Sequence, residues 1–525
     1  MVCYYDQKYS KPAEIYRGED AIERFLKKMF EEVRSCQKVM REHFVKPLEM
    51  TASDERDFQN STSCHICEKK YKPEEYNLRV RDHCHITGKY RGSAHNNCNL
   101  KLRIEPEKIK IPVIFHNLKG YDCHFIMQKI GKMINDKSIV DTLHIKSDDK
   151  IIEQNSTTNI SVISNNFEKY MSFRLGRHLQ FIDSFNFMGQ SLDRLASNLS
   201  EDSFIYSKEP LLREKGVYPY DYMHSFNRFH ETSLPKREDF YSQLYDENIS
   251  EEQYKHAQKV WDAFEIKNLG EYHDLYLKSD VLLLADVFEN FRKTCLNHYG
   301  LDPAHYMSSP GLSWDAMLKK TGIWLELITD IDMQFFIEKG MRGGISYIAH
   351  RYGKANNKYM KDYNPKEESS YLMYLDANNL YGWAMSQPLP YGNFKWIHLK
   401  EGDLEKYTDH TKKGIILEVD LEYPDDLHDL HNDYPCAPEK IIVTEEMLSD
   451  YCKNIKKLHG NSSGRVSKLV PTLQKKERDV LRYKNLTLYE SLGLKISKVH
   501  RVLEFSQKPW LKPHIDFNTE MRKEA

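Results

Sequence analysis

Two short knuckles carry the most specific chemistry in the sequence, Cys64-x2-Cys67 and His95-x2-Cys98, with 27 residues between them. Each is a tight turn offering two soft or borderline ligands, and the pair suits one tetrahedral Zn²⁺. Between them runs Arg81-Asp82-His83-Cys84-His85-Ile86-Thr87-Gly88-Lys89-Tyr90-Arg91-Gly92, and Asn99 directly follows the last cysteine. Further on, Phe115-His116-Asn117-Leu118-Lys119-Gly120-Tyr121-Asp122 closes an apolar strand. Tyr276-Leu277-Lys278-Ser279-Asp280 opens an apolar helix, where the i,i+4 spacing sets ring and carboxylate on one face. Arg342-Gly343-Gly344 offers glycines that let a backbone approach a phosphate closely. Tyr374-Leu375-Asp376-Ala377-Asn378-Asn379-Leu380-Tyr381 sets a carboxylate at a predicted strand end, ahead of an Asn-rich turn.

These groups need elements to hold them. Ala21, Ile22, Phe25, Leu26, Met29, Phe30 and Val33 recur at helical spacing and predict an amphipathic helix within residues 13–46. A polar stretch from Thr51 to Ser63 leads into the knuckles. Ile111 to Phe115 predicts a strand, and so does Leu179 to Ile182, followed by a helix through Leu192 and Leu195. Two helices are expected over 251–297, the second apolar along Leu277, Val281, Leu284, Val287, Phe288 and Phe291. A loop-rich connector precedes a further strand, Tyr371 to Leu375. The remainder is mixed α/β, with Lys475, Lys476, Arg478, Arg482 and Lys484 forming a phosphate-facing run.

The bulk properties narrow the class. With 525 residues the chain has material for several domains. Charged residues make up 29%, mean hydropathy is -0.69, and no apolar run approaches ~20 residues. No apolar segment follows Met1, so an intracellular protein is expected, nuclear or cytoplasmic, without signal peptide or membrane span. The 10 cysteines then read as thiols and metal ligands rather than a disulfide framework. A net charge of -2 neither selects nor excludes nucleic acid, because a basic groove disappears in a whole-chain sum.

The knuckled block resembles the recombination endonuclease VII group of HNH (ββα-metal) nucleases. The resemblance implies that Asp82 and Asn99 hold a catalytic Mg²⁺ and that His83 is the general base activating water. His95 stands where that group commonly has cysteine, a change zinc accepts.

The later motifs, taken in order, resemble protein-primed family-B DNA polymerases of mobile elements and viruses. By that resemblance Asn117, Tyr121 and Asp122 form the second motif of a 3′–5′ exonuclease, with Asn117 and Tyr121 on DNA. Tyr276 and Asp280 form the third, the aspartates binding Mg²⁺ and the tyrosine orienting water. Phe181-Ile182-Asp183-Ser184-Phe185 fits the strand-and-helix connection of the same domain. Arg342, Gly343 and Gly344 would contact template DNA. Asp376 would bind the Mg²⁺ pair of the palm, and Tyr381 would stack under the incoming sugar. DNA and deoxynucleoside triphosphates are the implied partners, with a terminal-protein primer contacting residues 395–515.

The resemblance sets the expected organisation as α/β and multidomain. Residues 1–60 are expected to be an exonuclease remnant with the amphipathic helix, 61–105 a zinc-binding ββα-metal finger, and 106–300 an RNase H-like exonuclease domain. Residues 301–370 would be a connector with the Gly-Gly loop, and 371–525 an incomplete polymerase palm with its insertion. No Asp-x-Glu pair precedes Asn117, and no Tyr-x-Asp-Thr-Asp string follows Asp376. The chain is therefore expected to correspond to the middle of a larger polymerase and to extend primers poorly. Three readings stand: a DNA-directed DNA polymerase by descent, a zinc-stabilised Mg²⁺-dependent endonuclease, and a catalytically inactive DNA-binding relic.

Overall fold

The computed structural model describes residues 10–43, 46–102, 108–135, 160–166, 169–400, 402–459 and 467–524. The chain divides into two compact units, residues 1–314 and 315–525.

In the first unit, helix α1 (Ala21–His43) realises the predicted amphipathic period. Leu26, Phe30 and Val33 are buried, with Ile22, Phe25 and Met29 packed beside them. Helix α2 (Ala52–Asn60) starts at a capping box in which the Thr51 hydroxyl and the Asp54 carboxylate satisfy each other's backbone N–H groups. The finger follows as an antiparallel hairpin, β1 (Val80–His83) with β2 (Tyr90–Ala94), and then helix α3 (Asn96–Lys101). The segment before it folds back on the hairpin. The Lys46 N–H donates to the His85 carbonyl at 3.0 Å, and the Glu49 N–H to that of Gly88 at 2.8 Å. Gly88 has φ +78°, and a Cβ there would lie 2.8 Å from the Pro47 carbonyl oxygen. Only glycine accommodates both the turn and this approach.

The larger sheet of this unit has four strands: β3 (Ile111–Phe115), β4 (Ile160–Ser164), β5 (Tyr170–Leu175) and β6 (Leu179–Asp183). Their order is β3-β6-β5-β4, with β3 parallel to β6 and the other pairs antiparallel. Helix α4 (Asp122–Asn135) and α1 cover one face. Phe173 and Phe181 stack at 4.4 Å within this core, both essentially inaccessible. Phe181→Ala is expected to cost about 3–5 kcal/mol of stability, read as a lowered denaturation midpoint with unchanged slope. Helices α5 (Leu192–Ser197), α6 (Glu251–Ala263) and the 31-residue α7 (Leu269–Tyr299) complete the unit. The buried Asp286 of α7 accepts N–H groups of Ile205, Tyr206 and Ser207 at 2.8–2.9 Å and so pins that loop.

The second unit is built on an antiparallel sheet of β7 (Leu389–Ile397), β8 (Lys413–Glu422), β11 (Lys476–Arg482) and β12 (Lys495–Lys508), ordered β11-β8-β12-β7. A separate two-stranded antiparallel sheet pairs β9 (Glu439–Ile442) with β10 (Ser467–Val470). Ile415, Leu417, Val419 and Leu421 alternate inward from β8, against Leu481, Val502 and Leu486. Helix α8 (Ile331–Gly340) seats Phe336 against Val480 and Leu503.

The strand expected at Tyr371–Leu375 is not formed. This segment pairs with no described strand, and its side chains are exposed, Tyr374 at 94%. Its apolar pattern is that of a strand, but a strand needs a ladder partner to satisfy its backbone. The Lys/Arg run is likewise not a free phosphate-facing face. Lys476 is fully buried on Glu439, Lys475 pairs with Glu422 and Lys484 with Asp409. Arg478 lies beside Glu418, and Arg482 donates to the Pro388 carbonyl.

Candidate metal centre and catalytic carboxylates

In the finger, the ligand atoms of Cys64, Cys67, His95 and Cys98 all lie within 4.8 Å of one another. A tetrahedral Zn²⁺ with bonds of ~2.3 Å spaces sulfur ligands roughly 3.8 Å apart, so this donor set fits the ion. Burial raises the Cys64 thiol, yet backbone N–H groups of Cys67, His95 and Ile66 outweigh it and bring the group down to about 6. Burial and the crowding thiols push Cys98 up to about 11.

The hairpin places Asp82 at the end of β1, with only 1% of its surface accessible. Both its oxygens are engaged: Oδ1 accepts from Arg91 Nη2 at 2.8 Å, and Oδ2 lies 2.9 Å from His65 Nε2. His65 sits inside the first knuckle. Its ring lies over Gly92, where a Cβ would come within 2.6 Å of it. A magnesium ion at Asp82 would have to share or displace one of these partners. His83 stands beside His85 with ring centroids 4.5 Å apart, and Asn99 is a half-buried residue of α3. His65 and Arg91 escape sequence reasoning because their role is a contact 9 or 17 residues away in the chain.

In the four-stranded sheet, Asn117 leaves β3 in the left-handed region at φ +64°, and Asp122 opens α4. Tyr121 is exposed and meets Phe125 edge-on at 5.1 Å. Burial raises the Asp122 carboxyl above the ordinary range, and the Asp183 charge adds to this. A cleft of ≈ 830 Å³ is bordered by Phe115, Tyr121, Asp122, Phe125, the α1 face and Leu277. On α7, the Tyr276 hydroxyl meets that of Tyr220 at 2.8 Å, and burial raises its pKa strongly. Asp280 is raised by burial, although Lys215, 3.5 Å away, pulls it down. Lys215 and Tyr220 are further site residues that the sequence does not reveal. They lie in a loop with no periodicity, and only folding brings them over α7.

In the second unit, Asp376 lies in the exposed segment ahead of helix α9 (Leu380–Met385), whose second residue is the exposed Tyr381. Arg342 is turned inward: Nη2 donates to Asp479 at 2.6 Å and to the Val480 carbonyl at 2.8 Å, and Nη1 donates to the Pro438 carbonyl. Gly343 and Gly344 follow it, exposed. Among the described residues, the zinc-type cluster is the one place where three or more His, Cys, Asp or Glu ligand atoms gather. Asp82 with Asn99, Asp122, Asp280 and Asp376 are not brought into a second such group.

Residues 103–461, well over half the chain, match the family "DNA polymerase type B, organellar and viral". The chain belongs to this family. Residues 41–110 also match recombination endonuclease VII, a span that takes in the segment folded onto the hairpin. Among solved structures, the chain is similar to Phi29 DNA polymerase in an orthorhombic crystal form. Identity is 14% over 79% of this chain and 56% of that one, with a TM-score of 0.38. It is similar too to that polymerase complexed with primer-template DNA (14%, TM-score 0.37) and with single-stranded DNA (15%, TM-score 0.37). The chain spans just over half the length of these polymerases. No curated protein matches it. Among the described residues, no helix is long and apolar enough to cross a membrane.

Proposed function

We propose that the chain binds primer–template DNA and a deoxynucleoside triphosphate as a DNA-directed DNA polymerase of its family, with Asp376 as a palm metal ligand and Tyr381 under the sugar. The observation that carries this is order. Asn117-Tyr121-Asp122, Tyr276-Asp280, Arg342-Gly343-Gly344 and Asp376-Tyr381 follow one another inside the type B polymerase match. Mg²⁺, when bound, supplies the charge neutralisation that phosphoryl transfer requires. The chain's own groups orient what is transferred. Asp376 projects from an exposed turn, Gly343-Gly344 leave backbone open to a phosphate, and Tyr381 offers a ring. Asn117, Tyr121, Asp122, Tyr276 and Asp280, all in the first unit, are the residues we assign to an exonuclease-like function. A terminal-protein primer is the proposed partner of 395–515. Primer extension with and without Asp376→Ala tests the reading: any incorporation is expected to fall with the substitution, and incorporation indifferent to it would mean that this motif is misassigned.

A second reading applies to the finger, favoured by the four converged ligands and the endonuclease VII match. Its proposed domain includes 46–60 as well as the knuckles. Zn²⁺ is structural there, His83 is the general base, and Asp82 and Asn99 are the Mg²⁺ ligands.

A further inference from the structure

We infer that Asp183 positions the Asn117–Asp122 turn, so that retention of a single-stranded DNA 3′ end in the adjoining cleft depends on it; the inference rests on the exonuclease-like reading of that site. Strands β3 and β6 are parallel neighbours, and their register sets Phe115 opposite Asp183. Both strands therefore end at the same edge, and Asp183 stands beside the point where the chain leaves β3. The residue is fully buried. Its Oδ1 accepts the N–H of Asn117 at 2.8 Å and of Phe185 at 3.0 Å, and Oδ2 accepts the N–H of Lys119 at 3.2 Å. A buried carboxylate is tolerated only when its oxygens are satisfied, and here backbone donors satisfy them.

The turn needs such an anchor. Asn117 holds a left-handed backbone that a residue with a side chain adopts at a cost, and the surroundings must impose it. The residues after Asp183 tighten the same corner. Ser184 Oγ donates to the Phe115 carbonyl at 2.8 Å and lies 2.9 Å from His116 Nδ1, and Lys119 Nζ donates to Asn186 Oδ1 at 3.1 Å. What the corner presents outward is the exposed Tyr121 ring against Phe125, with Asp122 on the cleft. Open aromatic faces beside a cleft suit unstacked bases. Because the Asp183 oxygens are taken by backbone, it acts through the turn and is a positioning residue rather than a ligand.

The test uses the full chain and an oligothymidylate ending in 4-thiothymidine. Irradiation is followed by mass mapping of the adduct, with hydrogen exchange and melting temperature measured alongside. The wild type is expected to form an adduct at Tyr121 or Phe125. Losing charged acceptance of three N–H groups, Asp183→Asn is expected to cut that adduct about tenfold or more and to speed exchange only within 115–122 and 183–186. Asp183→Ser, which keeps one small acceptor at the same place, is expected to cut it about threefold or more, and it carries the test if Asp183→Asn does not fold. A wild-type adduct that survives both substitutions overturns the role of Asp183 alone. No wild-type adduct in that segment overturns the exonuclease-like reading and the role with it.

Discussion

Replacing Cys64 with serine, or stripping the metal with a chelator, is expected to unfold the finger while both four-stranded sheets survive. The finger is a two-stranded hairpin, two short helices and four converged ligands. A hairpin of this size has too little apolar burial to stand alone in water. Structural zinc contributes about 10–16 kcal/mol to small folds of this type, so its loss is not a graded perturbation but the loss of the folded state. Mass spectrometry under native conditions should show one zinc per wild-type chain and none in Cys64→Ser. Limited proteolysis should then cut within 46–101 first. The sign with pH follows from proton competition. The ligating thiols must be deprotonated, and burial with the neighbouring thiols holds Cys98 above its ordinary range, so zinc affinity should fall as pH is lowered. A finger that resists proteolysis without metal would mean that the four ligands are not what holds it.

The second large effect is expected from Asp82 and His83. If the finger cleaves DNA, removing the general base should lower the rate by about 10²–10⁴-fold, so His83→Ala should abolish detectable nicking of a branched or supercoiled substrate. Asp82 needs a control. The residue is buried and holds His65 and Arg91, so Asp82→Ala strands two donors and is expected to cost about 1–3 kcal/mol of stability besides any chemistry. Asp82→Asn keeps the volume and separates the two effects: zinc content and melting temperature near wild type, cleavage lost. Cleavage that survives both His83→Ala and Asp82→Asn would sink the nuclease reading and leave the finger as a structural, DNA-binding module.

Much of this organisation is legible in the residues because it is local. The α1 period, β3 from Ile111 to Phe115 and the two helices within 251–299 follow from side-chain spacing and caps. The zinc knuckles follow from ligand types at turn spacing, and the cluster converges as they require. What the sequence hides is long-range. The pairing of Asp183 with a turn some 65 residues earlier, of Lys215 with Asp280, and of Asp82 with His65 depends on which elements become neighbours. Charge runs mislead for the same reason. Lys475 to Lys484 look like one basic face, but they run from just before a strand into the helix after it, and Lys475, Lys476 and Lys484 pair with Glu422, Glu439 and Asp409, acids distant in sequence. Tyr371–Leu375 reads as a strand because its pattern is one, and pattern alone does not supply a partner ladder.

The most direct test of the central claim is the affinity of the full chain for a primer–template, measured with Mg²⁺ in the presence of each deoxynucleoside triphosphate in turn, in wild type and Asp376→Ala. A polymerase-family palm is expected to hold the duplex about tenfold more tightly when the next complementary nucleotide is present, and to lose that gain with Asp376→Ala. Equal tightening by all four nucleotides, or a gain that persists without the Asp376 carboxylate, would contradict the account.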